Sequence, residues 1–212
     1  MSIFCCPLQS KRQRRKDARP GELLDAALEI FVEKGFAATR VEDVARQAGV
    51  SKGTVFLYFA SKEELLKAVV RENISGRLSE WEVEFTHYQG STQDMLRYVM
   101  RSWWERIGST KASGISRLMV CEACNFPELA TFYQDEVIPP THNLIKRILQ
   151  RGVEKGEFRA LTETELTYGV YTVLAPMLFL AMTQRCTMGL PIEPQAYLIT
   201  QVETILFGLM KK

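Results

Sequence analysis

The sequence predicts an all-α protein, with a small N-terminal three-helix domain of helix-turn-helix type and a larger C-terminal helical domain. Three observations carry this. Apolar residues recur at helical spacing along the chain, and no segment shows the alternation of a half-buried strand. Three helix-start signals crowd into residues 39–64, around Gly49. The last two helical segments are apolar on more sides than one buried stripe requires.

Taken in order, residues 1–18 read as a basic flexible arm, 19–62 as the helix-turn-helix domain and 63–212 as the larger domain. The first helix spans 20–36, with Leu24, Ala27, Leu28 and Phe31 at i, i+3, i+4 and i+7, Pro20 near its start and Gly35 near its end. Thr39-Arg40-Val41-Glu42 fits a capping box with Thr39 as N-cap. Gly49 closes that short helix, because glycine takes the left-handed backbone of a C′ position without a steric penalty. Ser51 caps the next helix, and Ser61, with Glu64 three residues on, opens a third. Two short helices joined by a tight turn are the arrangement that places a second helix in the DNA major groove. Val44, Ala45, Ala48, Val55 and Phe59 should pack on the first helix: Ala45 is small enough for a close crossing, and Val55 fills the space that the turn leaves.

Beyond this the pattern stays helical. Residues 61–86 read as one long helix, with Leu65, Leu66, Val69, Val70 and Ile74 on one face, and 87–91 as a break. Helices follow at 92–107 and 115–124. Asn125, with Pro127 inside the first turn, reads as the cap of a helix towards Lys155, which Pro139-Pro140 should kink or interrupt and Gly156 should end. The last two helices are 163–187 and 193–210, separated by Gly189-Leu190-Pro191. No internal repeat, low-complexity tract or long linker is present.

The composition, 46% hydrophobic and 25% charged over 212 residues, is that of a globular protein. The start has no signal-peptide pattern, and the longest apolar run, 170–182, is interrupted by Thr172 and Pro176 and falls short of the roughly 20 residues a bilayer needs. A cytoplasmic protein without membrane partners is expected. Residues 1–62 hold 11 basic and 7 acidic residues, whereas the remainder holds 16 and 18. The excess lies in Lys11, Arg12, Arg14, Arg15, Lys16 and Arg19, a basic arm beside the helix-turn-helix that suits phosphate neutralisation.

Five cysteines, an odd number, argue against a disulfide framework. Cys121 and Cys124 form a lone CxxC without a second pair or a nearby histidine, so no metal site is expected, and burial as small hydrophobes accounts for them. His87 and His142 have no nucleophile motif beside them, and no Walker loop or dinucleotide fingerprint is present. The chain reads as a non-enzyme without a cofactor. A thiol sensor acting through Cys121 and Cys124 is the alternative from a different class.

The surplus of apolar surface on the last two helices suits a second subunit, because a chain this short has little room to enclose both. Leu174, Leu178, Met182, Tyr197, Val202, Ile205 and Leu209 are the candidates for that homodimer contact. An effector site must come from the helical core. Trp81, Met100, Trp103, Trp104, Tyr168, Tyr171 and Met177 are candidates to line an apolar cavity, with Phe85, Phe132 and Phe179 beside them and with His142 and Tyr171 as its polar groups.

Residues 20–66 resemble the TetR/AcrR family of bacterial transcriptional regulators. The resemblance rests on Phe31-x-x-x-Gly35-Phe36, Ala38-Thr39, Asp43-Val44-Ala45-x-x-Ala48-Gly49-Val50-Ser51-Lys52-Gly53-Thr54-Val55 and Tyr58-Phe59-x-Ser61-Lys62-Glu63-x-Leu65. Asn125-Phe126-Pro127-Glu128-Leu129-Ala130, leading to Gly152 and Gly156, is similar to AcrR-like members. The resemblance implies a homodimer whose heads bind double-stranded palindromic operator DNA and whose C-terminal domains bind a small, largely apolar effector that releases it, most often from repression. By position, Lys52, Gly53 and Phe56 are expected at base edges, and Thr39, Thr54, Tyr58 and Lys62 at phosphates. The sequence departs from the family at three places. Phe56 and Leu57 stand where aromatic residues, often tyrosine, are usual, and Arg40, where a small hydroxyl residue is common, adds a phosphate contact. Phe56 has no hydroxyl, so in the major groove its partner is a thymine methyl.

Overall fold

The computed structural model describes residues 11–184 and 191–210. The readings made at Cys5, Cys6, Cys186 and Gly189-Leu190, and those on the side chains of residues 11–19, lie outside what it describes. The described chain is helical, with an isolated antiparallel bridge between Phe158 and Met210. It divides into two compact units, Met1–Val69 and Val70–Lys212.

The first unit is built from α1 (Lys11–Lys34), α2 (Val41–Gln47), α3 (Lys52–Phe56) and α4 (Lys62–Val70). Residues 11–18, read as part of an arm, are the start of α1, with Pro20 inside the helix. The segment is rich in straight-chain residues that lose little freedom in a helix, which offsets the one backbone donor Pro20 removes. Leu23, Ala27, Phe31, Val44, Ala45 and Val55 form the core. Gly49 has φ +66°, and the bonds Val50 N–H to Ala45 O (2.9 Å) and Gly49 N–H to Arg46 O (3.2 Å) complete a Schellman motif. The Ser51 hydroxyl accepts from Thr54 N–H at 3.1 Å, and Ser61 accepts from Glu64 N–H at 3.2 Å. Thr39 is not the cap of α2. Arg40 occupies that position with no side-chain bond, while Thr39 is 2% exposed and its hydroxyl donates inward to Gly35 O at 2.6 Å. The tight turn after Gly35 brings that carbonyl within reach, so the hydroxyl serves the turn rather than the helix.

The second unit contains α5 (Gly76–Thr86), α6 (Thr92–Trp103), α7 (Ser113–Glu122), α8 (Pro127–Glu136), α9 (Ile138–Glu154), α10 (Glu163–Gln184) and α11 (Pro194–Leu209). Arg71–Ser75, before α5, and Trp104–Gly108, after α6, are wound as π turns. The helix read as starting at Asn125 begins one residue later. Phe126 is the N-cap and makes no side-chain bond, while Pro127 occupies the first turn. The interruption expected from Pro139-Pro140 falls at Val137, and the two prolines sit in the first turn of α9, where their missing N–H groups cost least. Gly156, with φ +71°, ends α9 in a second Schellman motif: its own N–H meets Val153 O, and Glu157 N–H meets Gly152 O.

Helix α10 packs against α7, α9 and α11, and α11 also packs on α6. Residues Glu163–Thr183 are long and apolar enough to cross a bilayer by length and composition, so the expectation of too short a run fails, because Thr172 and Pro176 interrupt neither the helix nor its mean hydropathy. Only a third of that window is buried. Its inner stripe is Val170, Val173, Met177 and Leu180; Tyr168, Tyr171, Leu178 and Phe179 keep between 42% and 64% of their surface exposed.

A capping box that the sequence reading passed over opens α10. Thr162 Oγ1 accepts from Glu165 N–H, Glu165 Oε2 accepts from Thr162 N–H at 2.9 Å, and Arg159 donates to Glu165 Oε1 at 2.7 Å. The Arg159 guanidinium, followed by the Thr162 bonds, holds the Glu165 carboxyl at about 2 instead of the ordinary 4.5. A depressed carboxyl stabilises the fold fully above its unfolded value, and this contribution disappears as the pH falls from 4.5 towards 2. A side-chain carbon NMR titration is expected to place Glu165 near 2, and Arg159→Gln to move its midpoint upward; an unmoved midpoint would remove Arg159 as the cause.

Candidate nucleic-acid interface and effector cavity

Helix α3 is amphipathic in a single turn. Val55 is buried against the first unit's core, while Lys52, Gly53, Phe56 and the following Leu57 are exposed, Leu57 by 82%. Two large apolar side chains therefore stand on the outer face of the second helix of a helix-turn-helix. Lys52 Nζ pairs with Glu42 at 2.6 Å and lies 5.7 Å from the Phe56 ring centroid. The Lys52 ammonium also keeps the Glu42 carboxyl below its ordinary value. Arg40 is exposed and Tyr58 half-buried. The Thr54 hydroxyl lies 2.9 Å from Ser51 Oγ, within the cap of α3.

Two expected phosphate contacts are placed differently. Thr39 is turned inward, as described above. Lys62 Nζ donates to Phe36 O at 2.8 Å, Ala37 O at 3.5 Å and Thr39 O at 3.1 Å, and sits 4.3 Å from the Phe36 ring centroid. It ties down the loop between α1 and α2. The cause is local: the turn at Gly35 aims carbonyls towards the start of α4, and an ammonium supplies three donors there.

Within the second unit, Trp81, Trp103, His142, Tyr171 and Met177 of the effector candidates come together around a cavity of about 470 Å³. Its walls come from the π turn at Ile74, from α5 to α10 and from the π turn after α6. Met100 and Trp104 do not join them. They line a separate cavity of about 600 Å³ with Arg97, Arg101 and Leu198, because they lie one position beyond Val99 and Trp103 along α6 and the π turn that continues it, a rotation that turns them towards α11. Tyr168 lines neither cavity and is exposed on α10. Phe85 and Phe132 are core, and Phe179 is exposed.

The sequence reading missed Ser116, Tyr133, Gln134 and Thr141, polar residues at the cavity wall. A signal existed in the spacing Gln134, Val137, Ile138, Thr141, His142 and Ile145, but the break between α8 and α9 divides it. Burial pushes the Tyr133 phenol above its ordinary value, opposed by a hydrogen bond with Ser116. The Trp81 indole N–H donates to the buried Ser102 hydroxyl at 2.9 Å.

Among the homodimer candidates, Val202 is corrected. With Leu198 and Leu206 it forms the inner stripe of α11 and is buried within its own unit. Leu178 is exposed, and Leu174, Met182, Tyr197, Ile205 and Leu209 are half-buried. Ile199 and Phe207, which the sequence reading did not select for this face, are 62% and 86% exposed. Cys121 and Cys124 are free and exposed, not buried, because Ile115, Leu118 and Met119 take the inner face of α7. Among the described residues no group of His, Cys, Asp and Glu could hold a metal ion.

Family models place this architecture. That of the bacterial regulatory proteins of the tetR family matches residues 23–69, and that of the tetracyclin repressor-like C-terminal domain matches residues 88–202. The "Fatty acid metabolism regulator protein" of Bacillus subtilis is 27% identical over 146 residues, 68% of this chain and 74% of that protein. Among solved structures, the fatty acid degradation regulator FadR from Bacillus halodurans superposes with a TM-score of 0.72 at 21% identity, covering 94% of this chain and 97% of that one. The transcriptional regulator FadR from Bacillus subtilis in complex with stearoyl-CoA gives 0.64 at 20%, covering 89% and 98%. These matches extend over both units, and with them the chain belongs to the tetR family of bacterial regulatory proteins, DNA-binding transcriptional regulators rather than enzymes.

Proposed function

We propose that this chain is a cytoplasmic, effector-responsive repressor, acting as a homodimer on a palindromic operator. The observation that carries the reading is the pairing of an exposed α3 face in one unit with a ligand-sized apolar cavity in the other; about 470 Å³ is within the range of small-molecule sites. Lys52, Gly53 and Phe56 meet base edges, and Leu57 extends that apolar edge. Arg40, Thr54 and Tyr58 meet phosphates, while Thr39 and Lys62 fix the α1–α2 loop that carries Arg40 into α2. Lys52 leaves Glu42 to reach the DNA. The partner face runs along α10 and α11 through Leu174, Leu178, Met182, Ile199, Ile205 and Phe207, apolar groups that stand at or near the surface of a single copy. Tyr197 and Leu209 flank it. The effector prefers the arrangement whose two α3 helices no longer match successive major grooves, which is what couples the sites. The relative crystallised with stearoyl-CoA supports an acyl chain or a comparable hydrophobe as ligand.

The test is selection of bound sequences from random duplex DNA at near-physiological salt, with protein freed of bound lipophiles. A palindrome is expected, and it should be lost with Lys52→Ala combined with Tyr58→Phe. Binding without sequence preference would overturn the reading. Thymines are expected opposite Phe56 and Leu57 in each half-site. Replacing such a thymine by deoxyuridine removes one methyl contact and should weaken binding about fourfold, from about 0.8 kcal/mol of apolar burial.

A further inference from the structure

Twenty-four residues line the 470 Å³ cavity, and none is lysine, arginine, aspartate or glutamate. Five of the 13 that line the neighbouring cavity are charged: Asp94, Arg97, Arg101, Glu105 and Glu203. The contrast follows from where the charges on the surrounding helices go. Arg71 makes a two-pronged pair with Glu136 at 2.6 and 2.7 Å, Arg106 pairs with Glu84 at 2.9 Å, and Arg147 pairs with Glu82. Each cation is matched outside the cavity by a carboxylate of its own unit.

From this geometry we infer that the buried part of the ligand is uncharged, a neutral hydrophobe bearing one or two hydrogen-bonding oxygens. The inference rests on the reading of this cavity as the effector site. An ionised carboxylate or ammonium carried into its inner part, past the exposed rim of Val120, Gln134 and Tyr171, would lose its water and meet no lysine, arginine, aspartate or glutamate; the one imidazole of the lining, His142, packs against Tyr171. The polar groups present are suited to a neutral oxygen instead. Tyr133 and Ser116 stand on the α7–α8 wall, hydrogen-bonded to each other, which leaves one of their two O–H donors for a ligand. On the wall formed by α9 and α10, His142 meets Tyr171 edge-on, their ring centroids 4.8 Å apart. The Thr141 hydroxyl is already donated to Val137 O, and the Trp81 N–H to Ser102. An alcohol, ketone or ester fits this inventory. A free fatty acid has to leave its carboxylate in water at the mouth, and a thioester can bury its acyl chain while its charged carrier stays outside.

A matched pair of dyes tests this. N-phenyl-1-naphthylamine and 1-anilinonaphthalene-8-sulfonate share one aromatic skeleton and differ by the sulfonate. The full-length protein is titrated with each, and energy transfer from the tryptophans is read, since Trp81 and Trp103 line the cavity. The neutral dye is expected to bind at least tenfold more tightly. Ala130→Phe, which fills the cavity from α8, should abolish its transfer. Gln134→Arg, at an exposed lining position, should narrow the gap between the dyes, and it gives an independent reading if Ala130→Phe does not fold. Equal or tighter binding of the sulfonate at a site that Ala130→Phe blocks would overturn the inference and leave the effector site standing. Absence of any Ala130→Phe-sensitive transfer to either dye would overturn the effector-site reading, and this inference with it.

Discussion

Gly152→Ala is expected to lower the stability of the second unit by about 1–3 kcal/mol, although alanine is the better helix former. A Cβ built on Gly152 overlaps the Phe158 ring, 2.6 Å from its Cγ and closer still to its edge. Phe158 cannot yield, since it is 1% exposed and its own N–H is bonded to Gly152 O at 2.9 Å. The next residue is held as well, with Arg159 N–H on Leu209 O at 2.8 Å. The helix propensity gained is about 1 kcal/mol, and the overlap exceeds it. Thermal unfolding followed by circular dichroism should show a fall of about 3 °C per kcal/mol in a unit of this size. Phe158→Leu should restore part of the loss in the double variant. Gly21→Ala, on α1 with open space around it, should instead stabilise its own unit by about 0.4–1 kcal/mol. An unchanged midpoint for Gly152→Ala would mean that the ring moves aside at no cost.

Lys62→Met is the second large effect. The substitution keeps an unbranched side chain on the Phe36 ring and removes the donors to Phe36, Ala37 and Thr39. Hydrogen bonds from a charged donor contribute about 1.5–3 kcal/mol, so the first unit should lose about 2 kcal/mol. Operator affinity should fall with it, because the loop sets where α2 and α3 begin. The salt dependence separates this from a phosphate contact. If Lys62 acts only through the loop, the slope of log affinity against log salt stays at the wild-type value, whereas a lost phosphate contact makes it shallower by about one.

Much of the first unit was legible because its signals are local. Gly49, Ser51 and Ser61 act within one turn of themselves, and each does what its residue type implies. Thr39 misled because a hydroxyl before a helix has two uses. The capping pattern describes one, and the carbonyl of Gly35, four residues earlier, provides the other. Lys62 misled for a related reason: its partners lie 23 to 26 residues away in sequence. In the second unit the elements were legible and their facing was not. Val99 and Met100 are neighbours in sequence and line different cavities, a distinction fixed by which helices pack on α6. Leu198, Val202 and Leu206 could be told from Ile199 and Phe207 only once one side of α11 was known to be covered.

The outward apolar face of α10 and α11 also bears on gene dosage. Paired as proposed, the chain hides Leu178, Ile199 and Phe207 only by meeting another copy, so its stability is tied to its own abundance. When copies are scarce enough that single chains prevail, halving the supply quarters the number of pairs. Operator occupancy then follows the square of the copy number, and a promoter under this protein would respond more steeply to changes in its synthesis than one held by a repressor that works alone.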